Sequence, residues 1–174
     1  MYNLSTVLES SAREVPDKVA FVLGPTRLSY AQVDAAASQV ANGLAAKGIG
    51  AGDVVALACP NLPYFPIVYF GILKAGATVL PVSVLLTADE IAYLLEDSGA
   101  KGLFCFEGTA DLPLGASGHT GFGRVGSCEH LWIITADPAA ASPFDGVPTL
   151  GALMAGQAPA FDTVQRAGDD IAVV

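Results

Sequence analysis

The chain is short of positive charge: eight basic residues stand against seventeen acidic ones, for a net charge of −9 over 174 residues. So little lysine and arginine cannot neutralise a run of phosphates, which argues against nucleic acid as a partner. Cysteine is scarce too. Cys59, Cys105 and Cys128 are odd in number, widely spaced and form no C-x-x-C pair. Neither a disulfide framework nor a zinc site is expected, and the three read as reduced, buried thiols of a cytoplasmic protein. The opening residues, MYNLSTVLES, hold no basic segment followed by an apolar core, so no signal peptide is expected. No long apolar run is unbroken. Residues 64–86 come nearest, but Lys74 falls near the middle, where a charge costs about 3 kcal/mol in a bilayer. Pro66, Gly71, Gly76 and Pro81 also interrupt the run. A helix, a stop and a strand explain each interruption, so no transmembrane segment is expected.

What is present is apolar surface: 52% of residues are hydrophobic and only 14% charged. Such a chain can bury more than one lone domain covers, which points to a partner surface, either another subunit or further sequence. Residues 4–15 read as a helix with Leu4, Leu8, Ala12 and Val15 on one face, stopped by Pro16. Lys18 to Leu23 and Arg27 to Ser29, joined at Gly24-Pro25, read as a small hairpin. Ser29 and Gln32 form a capping box opening a helix with Val33, Ala37, Val40, Ala41 and Leu44 inward.

Val54 to Cys59 is a continuous apolar strand. Phe65, Val68, Tyr69, Ile72 and Leu73 then mark a helix face, with Asn61 as its cap. Lys74 suits the negative end of that helix, and Gly76 supplies its left-handed stop. Ala77 to Leu80 is a buried strand. Thr87 and Glu90 form a second capping box, for a helix buried through Ile91, Leu94 and Leu95 and ended by Gly99. Leu103 to Phe106 and Leu131 to Thr135 are further strands. Residues 107–127 and 136–148 read as loops, Thr149 to Met154 as a short helical turn, and Ile171 to Val174 as the start of another strand. Strands alternating with helices over 29–106 predict an α/β fold, a mostly parallel sheet flanked by helices with right-handed crossovers.

The chemistry-bearing residues do not assemble into a site. Gly121 to Gly126 match G-x-G-x-x-G, but a dinucleotide loop needs a strand before it and a helix after it, and the pattern offers neither. His119 and His130 lack neighbours at ligand spacing and read as surface histidines. Ser10, Ser11, Ser29 and Ser98 lack a nucleophile setting. Asp169 and Asp170 read as an exposed turn. Tyr64, Phe65, Tyr69 and Phe70 at helical spacing read as packing. Read alone, these residues yield an α/β lobe with no assembled active site, and both a non-catalytic interaction protein and a dinucleotide-binding oxidoreductase stay open.

A resemblance narrows them. Leu28-Ser-Tyr-Ala-Gln-Val33 resembles the first core motif of the acyl-adenylate-forming superfamily. Ala41-Asn-Gly-Leu44, Gly48 to Val55 and Pro60-Asn61 follow in that family's order. Gly71-Ile-Leu-Lys-Ala-Gly-Ala77 resembles the second core motif, completed by Glu90 to Lys101, and Asp169 to Val174 resembles the strand leading to the family's phosphate loop. Pro81-Val-Ser-Val84 departs from the usual P-x-N-P.

The resemblance, nearest to the fatty-acid acyl-CoA synthetase branch, implies a two-step ligase. A carboxylate attacks Mg-ATP to give acyl-AMP, and coenzyme A then takes the acyl group as a thioester. An acyl-AMP ligase feeding a carrier protein is the alternative. The family's phosphate loop, ribose aspartate and catalytic lysine have no counterpart among residues 1–174. The chain is therefore expected as a single incomplete domain, the first lobe of a large N-terminal domain, inactive alone. No catalytic, cofactor-binding or metal-binding residue is carried over, and ATP, Mg2+ and coenzyme A belong to the parent. Tyr30 and Gly76 are expected to position turns, and Ser29 and Asn61 to cap helices. Apolar surface left for further sequence makes a homodimer a possible outcome.

Overall fold

The computed structural model describes residues 3–174. After α1 (Thr6–Glu14), a hairpin of β1 (Val19–Leu23) and β2 (Thr26–Ser29) precedes α2 (Tyr30–Ala46). Then come β3 (Val54–Ala58), α3 (Tyr64–Lys74), β4 (Thr78–Pro81), α4 (Ala88–Ser98), β5 (Gly102–Phe106), α5 (Leu114–Phe122), β6 (His130–Ile134) and α6 (Leu150–Met154). The second sheet has order β4-β3-β5-β6 and every pair in it is parallel. Apart from Thr78 and His130, its strands are apolar, as suits a sheet with helices on both faces. The grouping α1, α2, α3 and α6 packs together, as do α4 and α5. The predicted α/β class, hairpin and strand order along the chain are what the structure shows.

Local signals explain most boundaries. The hydroxyl of Ser29 accepts from Gln32 N–H and the Gln32 side chain accepts from Ser29 N–H. Thr87 and Glu90 do the same at α4. The five predicted inward residues of α2 are all fully buried. Gly99 and Gly76 take left-handed backbone at φ 63° and 82°, where a side chain would be strained. Among the described residues no helix is long and apolar enough to cross a membrane.

Three expectations are corrected. Residues 107–127 are not all loop, because α5 occupies the middle of that span. Its buried face consists of Leu114, Gly115, Gly118 and Gly121, so no hydrophobic period is visible. Backbone fills the place of side chains: a Cβ on Gly118 would collide with Cys105 of β5, and one on Gly121 would lie 2.7 Å from the Ala88 carbonyl oxygen of α4. The face of α1 also differs. Leu8 is buried while Leu4 and Val15 are exposed, because the helix spans only Thr6–Glu14 and both lie beyond its ends. Finally, Asn61 does not cap α3. The N-cap is Pro63, without a side-chain cap, since a tight Pro60–Leu62 turn places Asn61 two residues too early.

Residues 171–174 run parallel to β4 at the outer edge of the sheet. Val79 N–H donates to Ala172 C=O at 2.9 Å, and Val174 N–H donates to Val79 C=O at 3.0 Å.

Candidate functional site

The chain connection from β3 leaves toward β4, and that from β5 leaves toward β6. The crevice outside the carboxyl ends of β3 and β5 is therefore the topological switch point, where open α/β sheets bind ligands. Cys59 follows β3 there, Glu107 follows β5, and Ala136 lies just past β6. The Ala136 peptide is held on both sides: its N–H donates to Glu107 Oε1 at 2.8 Å and its carbonyl accepts from the Tyr64 hydroxyl at 3.1 Å. Burial, helped by the charges of Asp137 and Glu107, raises the Tyr64 pKa, so the hydroxyl stays a donor.

Beside this edge lies a cavity of about 450 Å³. Leu23 and Leu28 of the hairpin, Tyr64 and Ile67 of α3, Thr135 and Met154 are among its walls, and no charged residue lines it. Its size suits a small ligand and its chemistry an apolar one.

The helix N-termini at this edge differ in what they offer an anion. A helix N-terminus attracts anions through free N–H groups. At α4 that position already holds Glu90, whose carboxylate takes the Thr87 N–H, with Asp89 beside it. Pro63 and Pro113 head α3 and α5 without a capping side chain, so no side chain takes the first N–H groups there. Among the described residues no three acidic, histidine or cysteine side chains converge to hold a metal ion.

The three cysteines are unpaired and buried. Burial pushes the Cys59 and Cys105 thiols up to about 12 and Cys128 up to about 11, so all three are neutral and unreactive at ordinary pH. His119 lies on α5, outside any loop, and its exposed ring stacks on Phe144 at 4.6 Å. His130 begins β6 and stacks on Trp132 at 5.3 Å. Gly121 and Gly123 stand at the end of a helix, with β6 following, which is the reverse of a dinucleotide loop. Of the four residues expected to shape turns and caps, Ser29 and Gly76 do so. Tyr30 instead begins α2, with its N–H donating to Lys18 C=O at 3.0 Å.

Sequence reasoning missed one polar cluster. Lys74, at the last position of α3, is only 2% exposed. Its ammonium lies 2.9 Å from Glu9 Oε1 of α1 and 3.0 Å from Asp34 Oδ1 of α2. The Thr163 hydroxyl bonds to the same Glu9 oxygen. The visible signal was a lysine four positions past Phe70 in an otherwise apolar helix, read only as a suitable charge for the helix dipole. Burial raises the Glu9 pKa, but the bonds from Lys74 and Thr163 and the charges of Lys74 and Arg13 outweigh it and hold it below 4.5. A lowered folded-state pKa contributes stability that is full above the unfolded value and lost as pH falls through the folded one. Urea midpoints are therefore expected to fall as pH drops below about 4.5, and Glu9→Gln should remove part of that fall. Identical acid limbs for the two proteins would contradict this role of Glu9.

The parallel sheet, its order and its carboxyl-edge crevice define the class: a doubly wound α/β lobe. The family model of the AMP-binding enzymes matches residues 8–174, and the chain belongs to that family. It is 39% identical over 103 residues to the long-chain-fatty-acid–CoA ligase FadD13 of Mycobacterium tuberculosis, covering 58% of this chain and 20% of that protein. It is 36% identical over 97 residues to surfactin synthase subunit 2 of Bacillus subtilis, covering 56% of this chain and 3% of that protein. Among solved structures, the anthranilate CoA ligase AuaEII in complex with anthranoyl-AMP superposes with a TM-score of 0.82 at 26% identity, over 99% of this chain and 31% of that one. The Mycobacterium tuberculosis fatty acyl CoA synthetase gives a TM-score of 0.74 at 28% identity, over 98% and 32%. The fold is that of adenylate-forming enzymes in their N-terminal part, and the chain spans about a fifth of the FadD13 ligase.

Proposed function

We propose that this chain is the first α/β lobe of an ATP-dependent ligase that activates a carboxylate as acyl-AMP and passes it to coenzyme A, with a fatty acid as the substrate. The observation carrying the reading is the match of the AMP-binding family over residues 8–174. The 39% identity to a long-chain-fatty-acid–CoA ligase supports the substrate class. In this reading the lobe contributes scaffold and an apolar cavity, while the groups that hold ATP, Mg2+ and coenzyme A come from other parts of the ligase. The start of α4, already occupied by the Glu90 carboxylate, and the uncharged cavity walls support that division.

A titration tests it. Residues 1–174 alone are expected to show no saturable binding of Mg-ATP at millimolar concentration. Saturable binding would place a nucleotide site within this chain and overturn the division. A second reading, adenylation with transfer to a carrier protein, is favoured by the 36% identity to surfactin synthase subunit 2. Sequencing the gene beyond codon 174 separates the two: an in-frame carrier domain supports the second reading and excludes the first.

A further inference from the structure

The last residue of α3 joins parts of the chain that are far apart in sequence. The Lys74 ammonium binds Glu9 and Asp34, and Glu9 in turn binds Thr163. The Lys74 carbonyl accepts from Val164 N–H at 2.9 Å. The Asn3 side-chain amide donates to the carbonyls of Leu73 at 2.7 Å and Val164 at 2.8 Å. Val164 also sits where Gly76 lacks a side chain, 2.7 Å from the position of a Cβ. The N-terminal arm and the strap of residues 155–170 are thus both fastened at one buried lysine.

The strand that follows the strap has few bonds of its own. Ile171 and Val174 are 61% and 55% exposed. Besides its two backbone bonds to Val79, residues 171–174 receive one bond, from the Thr78 hydroxyl to Ile171 C=O at 2.9 Å. Little burial fixes it on β4, so its register depends on where the strap is anchored. Because it runs parallel to β4, its carboxyl end points to the same edge as the switch-point crevice.

We propose that Lys74 is a positioning residue: with Glu9 and Thr163 it forms a latch that sets the register of strand 171–174 on β4, and so fixes where the chain reaches the ligand-binding edge. The charges facing the ammonium are Glu9 from α1 and Asp34 from α2, and Asp162 and Gln165 of the strap lie around the same groove. A lysine this buried requires both carboxylates, and the strap is held by the one that also holds α1.

Site-resolved amide hydrogen exchange on the 174-residue chain tests the latch. Removing Lys74 strands two carboxylates and risks unfolding, so the test uses milder changes. Thr163→Val leaves the ion pairs intact and removes only the bond between Thr163 and Glu9. Glu9→Gln removes the charge that Thr163 and Lys74 share. Each should speed exchange at Val164 and Val174 by about tenfold, the factor for one hydrogen bond to a charged group, while amides of β5 stay unchanged. A uniform rise across the sheet, or no change at Val164 and Val174, would overturn the proposal.

Discussion

Trp132→Ala is expected to cost about 3–5 kcal/mol, at the high end for a core truncation. Trp132 lies in β6, 2% exposed, with its ring stacked on Phe104 of β5 at 4.7 Å and on His130 at 5.3 Å. Beneath the ring is Gly102, whose missing Cβ would come within 2.8 Å of it. The indole thus covers bare backbone, and nothing on Gly102 can move in to fill the hole. A net stability of about 5–15 kcal/mol leaves little reserve for such a loss. Trp132 is the only tryptophan, so urea unfolding must be followed by far-ultraviolet circular dichroism. A loss below about 1 kcal/mol would show that the site collapses freely.

Gly71→Ala should destabilise by about 1–3 kcal/mol, against the usual sign for a helix interior. At an open helical position, exchanging glycine for alanine gains about 1 kcal/mol. Here a Cβ would stand 2.6 Å from Val40 Cβ and 3.0 Å from the Ala37 carbonyl oxygen, both on α2. These atoms are fixed by the helix backbone and cannot swing aside, so α2 and α3 must separate. Gly126→Ala is the control, since nothing lies within 4 Å of its added Cβ and its backbone is not left-handed. It should be neutral or mildly stabilising. A neutral Gly71→Ala would mean that the two helices are packed more loosely than these distances require.

The sheet was legible because its strands carry their own signals. Val54 to Ala58 and Gly102 to Phe106 are short apolar runs with turn residues around them. The capping boxes at Ser29 and Thr87 fixed two helix starts to the residue. Helix α5 was illegible because its buried face is glycine, and a method that counts apolar periodicity sees nothing at Gly115, Gly118 and Gly121. Their spacing of three was the available clue. The Lys74 cluster was illegible for another reason: Glu9, Asp34 and Thr163 are distant in sequence, and only the folded chain brings them to one ammonium. The carboxyl-edge cavity is likewise built by topology, from hairpin, α3 and α6 together, and no local pattern announces it. The family motifs were readable in order, but they mark packing and turns in this lobe, as Ser29 and Gly76 show.

One lobe exchange tests most directly whether this chain is working scaffold for carboxylate activation. Residues 3–174 would replace the matching lobe of the mycobacterial long-chain-fatty-acid–CoA ligase, and fatty-acid-dependent exchange of pyrophosphate into ATP would be measured beside residues 1–174 alone. The expected result is exchange by the chimera and none by the lobe. A chimera that folds with native circular dichroism yet shows no exchange, or a lobe that catalyses exchange alone, would contradict the assignment.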